Sequence, residues 1–186
     1  SEVDRRSLSE YVAFQMALGE NTLFKNIKKL EPANYLIVKN NAIVKKREYW
    51  KLNFRIDDSM SLTEYRNELL DLLEDSLSLQ SRSDVPLGAY VSGGLDSSIV
   101  ATLAARKCTA RLFTFSGGFK VSKDYDETQY AKIISNRIKS RHFTVFGKWQ
   151  DFRDSFAKLV YHMDEPAAGP GLFPQFMVSR LASTHV

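Results

Sequence analysis

An α/β fold is expected for this 186-residue chain: a parallel sheet with helices on both faces, preceded by a small segment of one helix and a β-hairpin. Three observations predict it. From residue 87 onward, short apolar runs alternate with stretches of helical periodicity, the pattern of a parallel sheet joined by right-handed crossovers. The first of these runs, Leu87-Gly88-Ala89-Tyr90-Val91, is continuous rather than alternating, as suits a strand buried on both faces. It leads into a glycine pair and then a helical stretch, Ser92-Gly93-Gly94-Leu95-Asp96-Ser97-Ser98, a strand–turn–helix junction.

In chain order, Leu8, Tyr11, Val12, Met16 and Ala17 form an apolar stripe that predicts a helix over 8–18, with Ser7 and Glu10 at capping-box spacing. Residues 35–38 and 42–44 read as two strands joined by a turn at Asn40-Asn41, and Tyr49-Trp50 closes this block. The polar stretch Asp57-Asp58-Ser59 marks a boundary, so 1–57 and 58–186 are expected to be separate domains. Ser61 and Glu64 give a second capping box. It heads a helix whose Leu62, Tyr65, Leu69, Leu72, Leu73 and Leu77 are expected to face a core. Helices are then expected over 95–107, 125–138, 149–162 and 172–182, and strands over 111–115 and 142–145. Tyr11, Phe14, Phe113, Phe115 and Phe119 are expected in the core by their spacing. The alternation calls for a further strand after Val186, so the chain is expected to be cut within a domain.

Composition narrows the function classes. With 44% hydrophobic and 26% charged residues, the balance is that of a soluble globular protein. No apolar run reaches about 18 residues, so no membrane span is expected, and the opening residues do not form a signal peptide. The net charge of +4 is mild and scattered; it does not single out nucleic acid, and an anionic nucleotide fits it equally well. The loose cluster Lys25, Lys28, Lys29, Lys45, Lys46 and Arg47 reads as a solvated face. Cys108, the one cysteine, leaves no internal disulfide and suits a reducing cytoplasm. It lies at a helix end with no neighbouring histidine and reads as a small apolar residue. His142, His162 and His185 are too far apart in sequence for a metal motif and read as structural.

The junction at 92–98 carries the chemistry. Adjacent glycines let the backbone turn tightly and approach a ligand. Amides of the new helix's first turn, helped by its dipole, favour an anion there. Ser92, Ser97 and Ser98 add hydroxyl donors. Asp96 is a carboxylate beside a phosphate-type site and makes sense if Mg²⁺ bridges it to the phosphates. A purely structural alternative has Asp96 capping the helix and the glycines merely turning the chain. A Walker loop is excluded because no lysine followed by Ser or Thr comes after the glycines, and a dinucleotide loop because G-x-G-x-x-G is missing. Asp126 and Glu127 read either as first-turn charges on a helix dipole or as substrate-side groups. Asp164-Glu165-Pro166 could simply stop a helix.

These residues resemble the SGGxDS signature of the ATP-pyrophosphatase superfamily, which splits ATP between its α- and β-phosphates to adenylate a carboxyl or carbonyl oxygen. The flanks resemble glutamine-dependent asparagine synthetases in particular. Thr22 through Ala33 is similar to the stretch that closes their glutaminase domain, and Arg47-Glu48-Tyr49-Trp50 to the one after it. Asp84-Val85-Pro86-Leu87-Gly88 resembles the lead-in to the loop. Thr114 through Phe119, Tyr125-Asp126-Glu127, Asp164-Glu165-Pro166 and Phe173 through Ala182 resemble successive later segments. Beta-lactam synthetases share much of this pattern.

The resemblance implies that 1–57 ends a glutaminase domain and 58–186 begins a synthetase domain. Val91 and Gly117 would meet the adenine, Ser92, Gly93, Gly94, Ser97 and Ser98 the pyrophosphate, and Asp96 Mg²⁺. The implied cofactors are ATP and Mg²⁺, and the implied substrates are aspartate and glutamine-derived ammonia. The full-length protein would form a homodimer in the cytoplasm. Three departures stand out. Gly169 occupies a position where relatives often carry Asp, which bears on the acceptor. His142-Phe143 replaces a frequent His-His pair. The second signature, SGEGxDE, and the glutaminase cysteine lie outside these residues, so this polypeptide alone is expected not to make asparagine. Two alternatives remain open: a beta-lactam synthetase or similar acyl-adenylating enzyme, and a truncated module that binds ATP without turnover.

Overall fold

The computed structural model describes residues 2–56, 58–108, 110–120, 126–166 and 169–186. The chain forms two compact units, 1–58 with 160–169, and 59–159 with 170–186. The second segment of the first unit is a return excursion that no local sequence pattern announces. Asp57 and Tyr125, which figure in the sequence expectations, lie outside the described residues.

In the first unit, α1 spans Arg5–Phe14, starting and ending earlier than the apolar stripe suggests. The cap is Asp4, not Ser7: the Asp4 carboxylate accepts the Ser7 N–H at 3.0 Å. A carboxylate one turn earlier outcompetes the serine hydroxyl, and Ser7 becomes a buried residue of the first turn. Glu10 is no capping-box partner either; it accepts the Leu18 N–H at 3.2 Å and pairs with Arg6. Gln15, left-handed at φ 63°, stops the helix. Phe14, expected in the core, is exposed, as are Leu8, Val12 and Met16.

Strands β1 (Asn34–Lys39) and β2 (Ala42–Glu48) pair antiparallel, with a register shift between Ile37 and Val38. Asn40 and Asn41 both take positive φ, 50° and 58°, as a two-residue hairpin turn of the favoured hand requires. Lys28, Lys29 and Lys46 are each within ion-pair distance of a glutamate: Glu20, Glu165, and both Glu20 and Glu31 respectively.

In the second unit, the Ser61–Glu64 capping box forms as expected. Ser61 Oγ accepts the Glu64 N–H at 3.3 Å. The Glu64 carboxylate accepts the Ser61 hydroxyl at 2.6 Å and the Ser61 N–H at 2.7 Å, and these two bonds, the hydroxyl's first, hold its carboxyl below the ordinary pKa. They head α2 (Leu62–Gln80). The expectation for its leucines does not hold. Leu62, Leu69 and Leu72 are exposed, no residue of α2 is buried, and Leu73 and Leu77 are only half-buried. Among the described elements α2 packs mainly against α3, and Glu74 pairs with Lys107 there at 3.2 Å.

A parallel three-stranded sheet follows, in the order β3 (Gly88–Tyr90), β4 (Phe113–Gly118), β5 (Arg141–Phe146). The connecting helices are α3 (Leu95–Lys107) and α4 (Thr128–Arg137), followed by α5 (Trp149–Met163) and α6 (Leu172–Ala182). The period of two along β4 sorts the layers. Phe115 packs with Val178 and Ala182 of α6 on one face. Thr114 turns to Ser135 of α4 and to Ser140 on the other. On that second side Val91, Ala101 of α3 and Ala131 of α4 form a small-residue core. Helices therefore cover both faces. β4 begins two residues later than expected because Arg111 leaves the ladder to donate from its guanidinium to the carbonyls of Lys139 and Ser140. Helix α5 ends at Met163, with Asp164 left-handed at φ 55°, so Pro166 is not the stop.

Candidate functional site

The glycine loop sits at the carboxyl end of β3, at the point where the chain turns into α3. Val91 is 1% exposed and donates its N–H to the Phe115 carbonyl at 2.9 Å, so the loop leaves the sheet from a fixed base. Gly93 has φ +87°, and a Cβ there would lie 2.3 Å from Tyr130 Cβ and 2.7 Å from the Ala131 amide nitrogen. Only glycine combines that backbone with that approach to α4. Gly94 is the N-cap of α3 and supplies no side-chain cap, which leaves first-turn amides of α3 free to meet a ligand.

The serines divide into two groups. Ser92 and Ser97 hydroxyls converge, with Oγ atoms 3.0 Å apart. Ser97 Oγ also accepts the Ser92 N–H at 3.3 Å, and Ser92 Oγ accepts the Gly94 N–H at 3.2 Å. Ser98 turns back along its own helix, donating to the Gly94 carbonyl at 2.6 Å. Asp96 lies in the first turn of α3, exposed. Among the described residues no group of three or more His, Cys, Asp or Glu could cage a metal. A lone carboxylate instead fits the way Mg²⁺ is held beside phosphates, through one or two carboxylates plus phosphate oxygens and water.

A cavity of about 320 Å³ opens beside the loop, between the carboxyl ends of β3 and β4 and the start of α6. Val91, Ser92, Ser97 and Gly117 line it; Gly93, Gly94, Asp96 and Ser98 do not. Gly117 is there because α6 comes close: a Cβ would stand 2.8 Å from a Val178 methyl. The rest of the wall, Tyr90, Phe115, Pro174, Gln175 and Val178 among it, has no local signal in the sequence. Half of it comes from a helix some eighty residues after the loop, and only the β-α-β topology brings it there. The cavity is mostly apolar with a few polar groups, the make-up of a small-molecule site.

Behind the cavity wall, Ser116 Oγ lies 3.2 Å from His142 Nε2 and 3.2 Å from Thr144 Oγ1, while His142 Nδ1 lies 3.0 Å from Thr114 Oγ1. Burial, and then the nearby Lys132 charge, hold the His142 imidazole below its ordinary pKa. His142 is thus part of a hydroxyl-lined layer beneath α4, and His185 packs on Phe143 at a ring separation of 3.9 Å. Asp126 takes the helix-end role: its carboxylate accepts the Thr128 N–H at 3.0 Å and hydroxyl at 2.6 Å, which lowers its pKa.

The sheet and its loop define a class: a parallel α/β domain with an anion-receptive strand–glycine–helix turn at its carboxyl edge. The model of the asparagine synthase family matches residues 68–186, and the chain belongs to that family. Asparagine synthetase [glutamine-hydrolyzing] 1 of Bacillus subtilis is 29% identical over 185 residues, covering all of this chain and 29% of that protein. The putative asparagine synthetase [glutamine-hydrolyzing] 2 of Methanocaldococcus jannaschii is 34% identical over 188 residues, 99% of this chain and 36% of its own length. The chain therefore spans about a third of the relatives it matches. Among solved structures, an NH3-dependent NAD synthetase from Campylobacter jejuni is 17% identical with a TM-score of 0.40, over 67% of this chain and 50% of that one.

Proposed function

We propose that this chain is the ATP-binding part of a glutamine-dependent asparagine synthetase, with residues 1–57 ending the glutaminase domain and 58–186 opening the synthetase domain. The observation that carries the reading is the loop: Gly93 jammed against α4, first-turn amides of α3 uncapped, and two serine hydroxyls converging beside an apolar cavity. ATP places its phosphates at the loop, on the amides of α3 and the hydroxyls of Ser92 and Ser97, with its base against Val91 and Gly117. Asp96 is the carboxylate that shares Mg²⁺ with the phosphates.

The reaction is attack of the aspartate β-carboxylate on the α-phosphorus, breaking the bond to the β-phosphate and releasing pyrophosphate. Ammonia then displaces AMP from the acyl carbon. The loop's part is electrostatic: fixed amide dipoles neutralise the triphosphate and hold it in line for attack. As an isolated polypeptide, residues 1–186 bind the nucleotide without turnover, since Asp96 is the one metal-directed carboxylate of the loop.

In an enzyme carrying this segment, pyrophosphate release should depend on aspartate and fall at least a hundredfold in Asp96→Ala. Release of orthophosphate instead, or pyrophosphate release indifferent to aspartate, would contradict the assignment.

A further inference from the structure

Helix α4 touches the phosphate loop directly. The backbone of Gly93 is pressed against Tyr130 and Ala131, with no room for a side chain between them. Where α4 stands on the sheet therefore decides where Gly93 stands, and with it the amides and hydroxyls that follow. The apolar cluster beneath α4 joins Ala131 to Val91 and Ala101, with Ala89, Ile134 and Ile138 around them. Such contacts hold the helix down but have no direction, so they do not fix its register along the strands.

One turn past Ala131, Ser135 supplies the direction. It is 1% exposed and, among the described residues, it is the side chain through which α4 hydrogen-bonds to the sheet. Its hydroxyl oxygen lies 3.4 Å from Thr114 Oγ1 of β4 and 2.7 Å from Ser140 Oγ, which is itself 2.8 Å from Thr114 Oγ1. Thr114, fully buried, is the centre of the group, with His142 Nδ1 at 3.0 Å. The other ring nitrogen, Nε2, lies 3.2 Å from the hydroxyl of Ser116, a residue of the cavity wall.

A buried hydroxyl without a partner loses its solvation and gains nothing in return. Here, among the described residues, no buried side-chain nitrogen or oxygen lacks a partner. A fully bonded buried network rigidifies the elements it joins and selects one arrangement of them. The small apolar residues beside it fill space under α4; the hydroxyls add register.

We infer that Thr114 is a positioning residue of the phosphate loop: its hydroxyl, through Ser135 and Ser140, sets the register of α4 on the sheet, and α4 sets the place of Gly93. This rests on the ATP-binding reading given above. It gives a part in phosphate binding to a side chain that touches no ligand.

The test uses an enzyme carrying this segment. Thr114→Val removes the hydroxyl and keeps the shape. KM for Mg-ATP should rise about tenfold, the scale of one uncompensated buried hydrogen bond, with kcat at saturating ATP and KM for aspartate unchanged. Thr114→Ser removes the methyl and keeps the hydroxyl. It should lose stability yet hold the ATP KM of the unaltered enzyme, which separates register from general destabilisation. Ser135→Ala, which raises helix propensity, should reproduce the rise, and adding it to Thr114→Val should raise KM little further. It carries the test if Thr114→Val does not fold. An ATP KM unmoved in Thr114→Val or in Ser135→Ala, one raised as far in Thr114→Ser as in Thr114→Val, or effects that multiply in the double variant would overturn the assignment of Thr114. An unaltered enzyme that releases no pyrophosphate from ATP would overturn the underlying site as well.

Discussion

Helices α2 and α3 lie against each other, yet the same kinds of sequence signal led to opposite outcomes in them. Each has a clear start: the Ser61–Glu64 box for α2 and the glycine turn for α3. Each also has an apolar periodicity. In α3, Ala101 is 0% exposed and Leu103 is buried. In α2, Leu72 is 61% exposed. The difference teaches what a periodicity reports. It shows that a helix has an apolar face; it does not show what stands opposite. α3 lies beside β3 and α4 and fills the space with small residues. Among the described elements the main neighbour of α2 is α3, and the half-buried side of α2 bears Leu73, Glu74 and Leu77. The cap sets where α2 starts, and its half-buried side against α3 adds the packing a helix needs.

Three substitutions sharpen this contrast. Gly93→Ala should have the largest effect. The new methyl meets Tyr130 and the α4 backbone at a positive φ, and strain and overlap together should cost roughly 3 kcal/mol of stability by denaturant titration. Ser61→Ala removes one half of the capping box and should cost about 1 kcal/mol, seen as reduced helicity and a lower unfolding midpoint. Leu72→Gln, on the exposed side of α2, should change stability by less than about 0.5 kcal/mol. If Leu72→Gln proves as costly as Gly93→Ala, the α2 face is covered and the contrast between the two helices collapses.

The legible parts of the fold were those governed by local chemistry. The bounds of α3 and α6 fall where the sequence places them, and each helix opens at a glycine N-cap, Gly94 and Gly171. The Asn40-Asn41 hairpin formed for the same reason. α1 was displaced because its cap is the carboxylate of Asp4, one turn before the Ser7 that the spacing pointed to. The exposure of α2, and the return of 160–169 to the first unit, depend on long-range packing that no local window records. The candidate site divides in the same way. The loop residues 92–98 were visible as a motif, and the meeting of Ser92 and Ser97 with Val91 and Gly117 at one cavity follows from the β-α-β geometry. Tyr90, Gln175 and Val178 were not visible, because their place in the cavity comes from α6 crossing the sheet. The backing of Gly93 by Tyr130 was hidden as well, since only the packing of α4 puts the two together.

The central claim is that the loop binds a nucleotide triphosphate with Mg²⁺ at Asp96. Thermal unfolding of the chain with and without Mg-ATP tests it most directly. At a ligand concentration a hundred times the dissociation constant, the stabilisation should be about 2.7 kcal/mol, a rise in midpoint of several degrees, and Asp96→Ala should abolish it. An unchanged midpoint in a well-folded sample at saturating Mg-ATP, or an equal rise in Asp96→Ala, would contradict it.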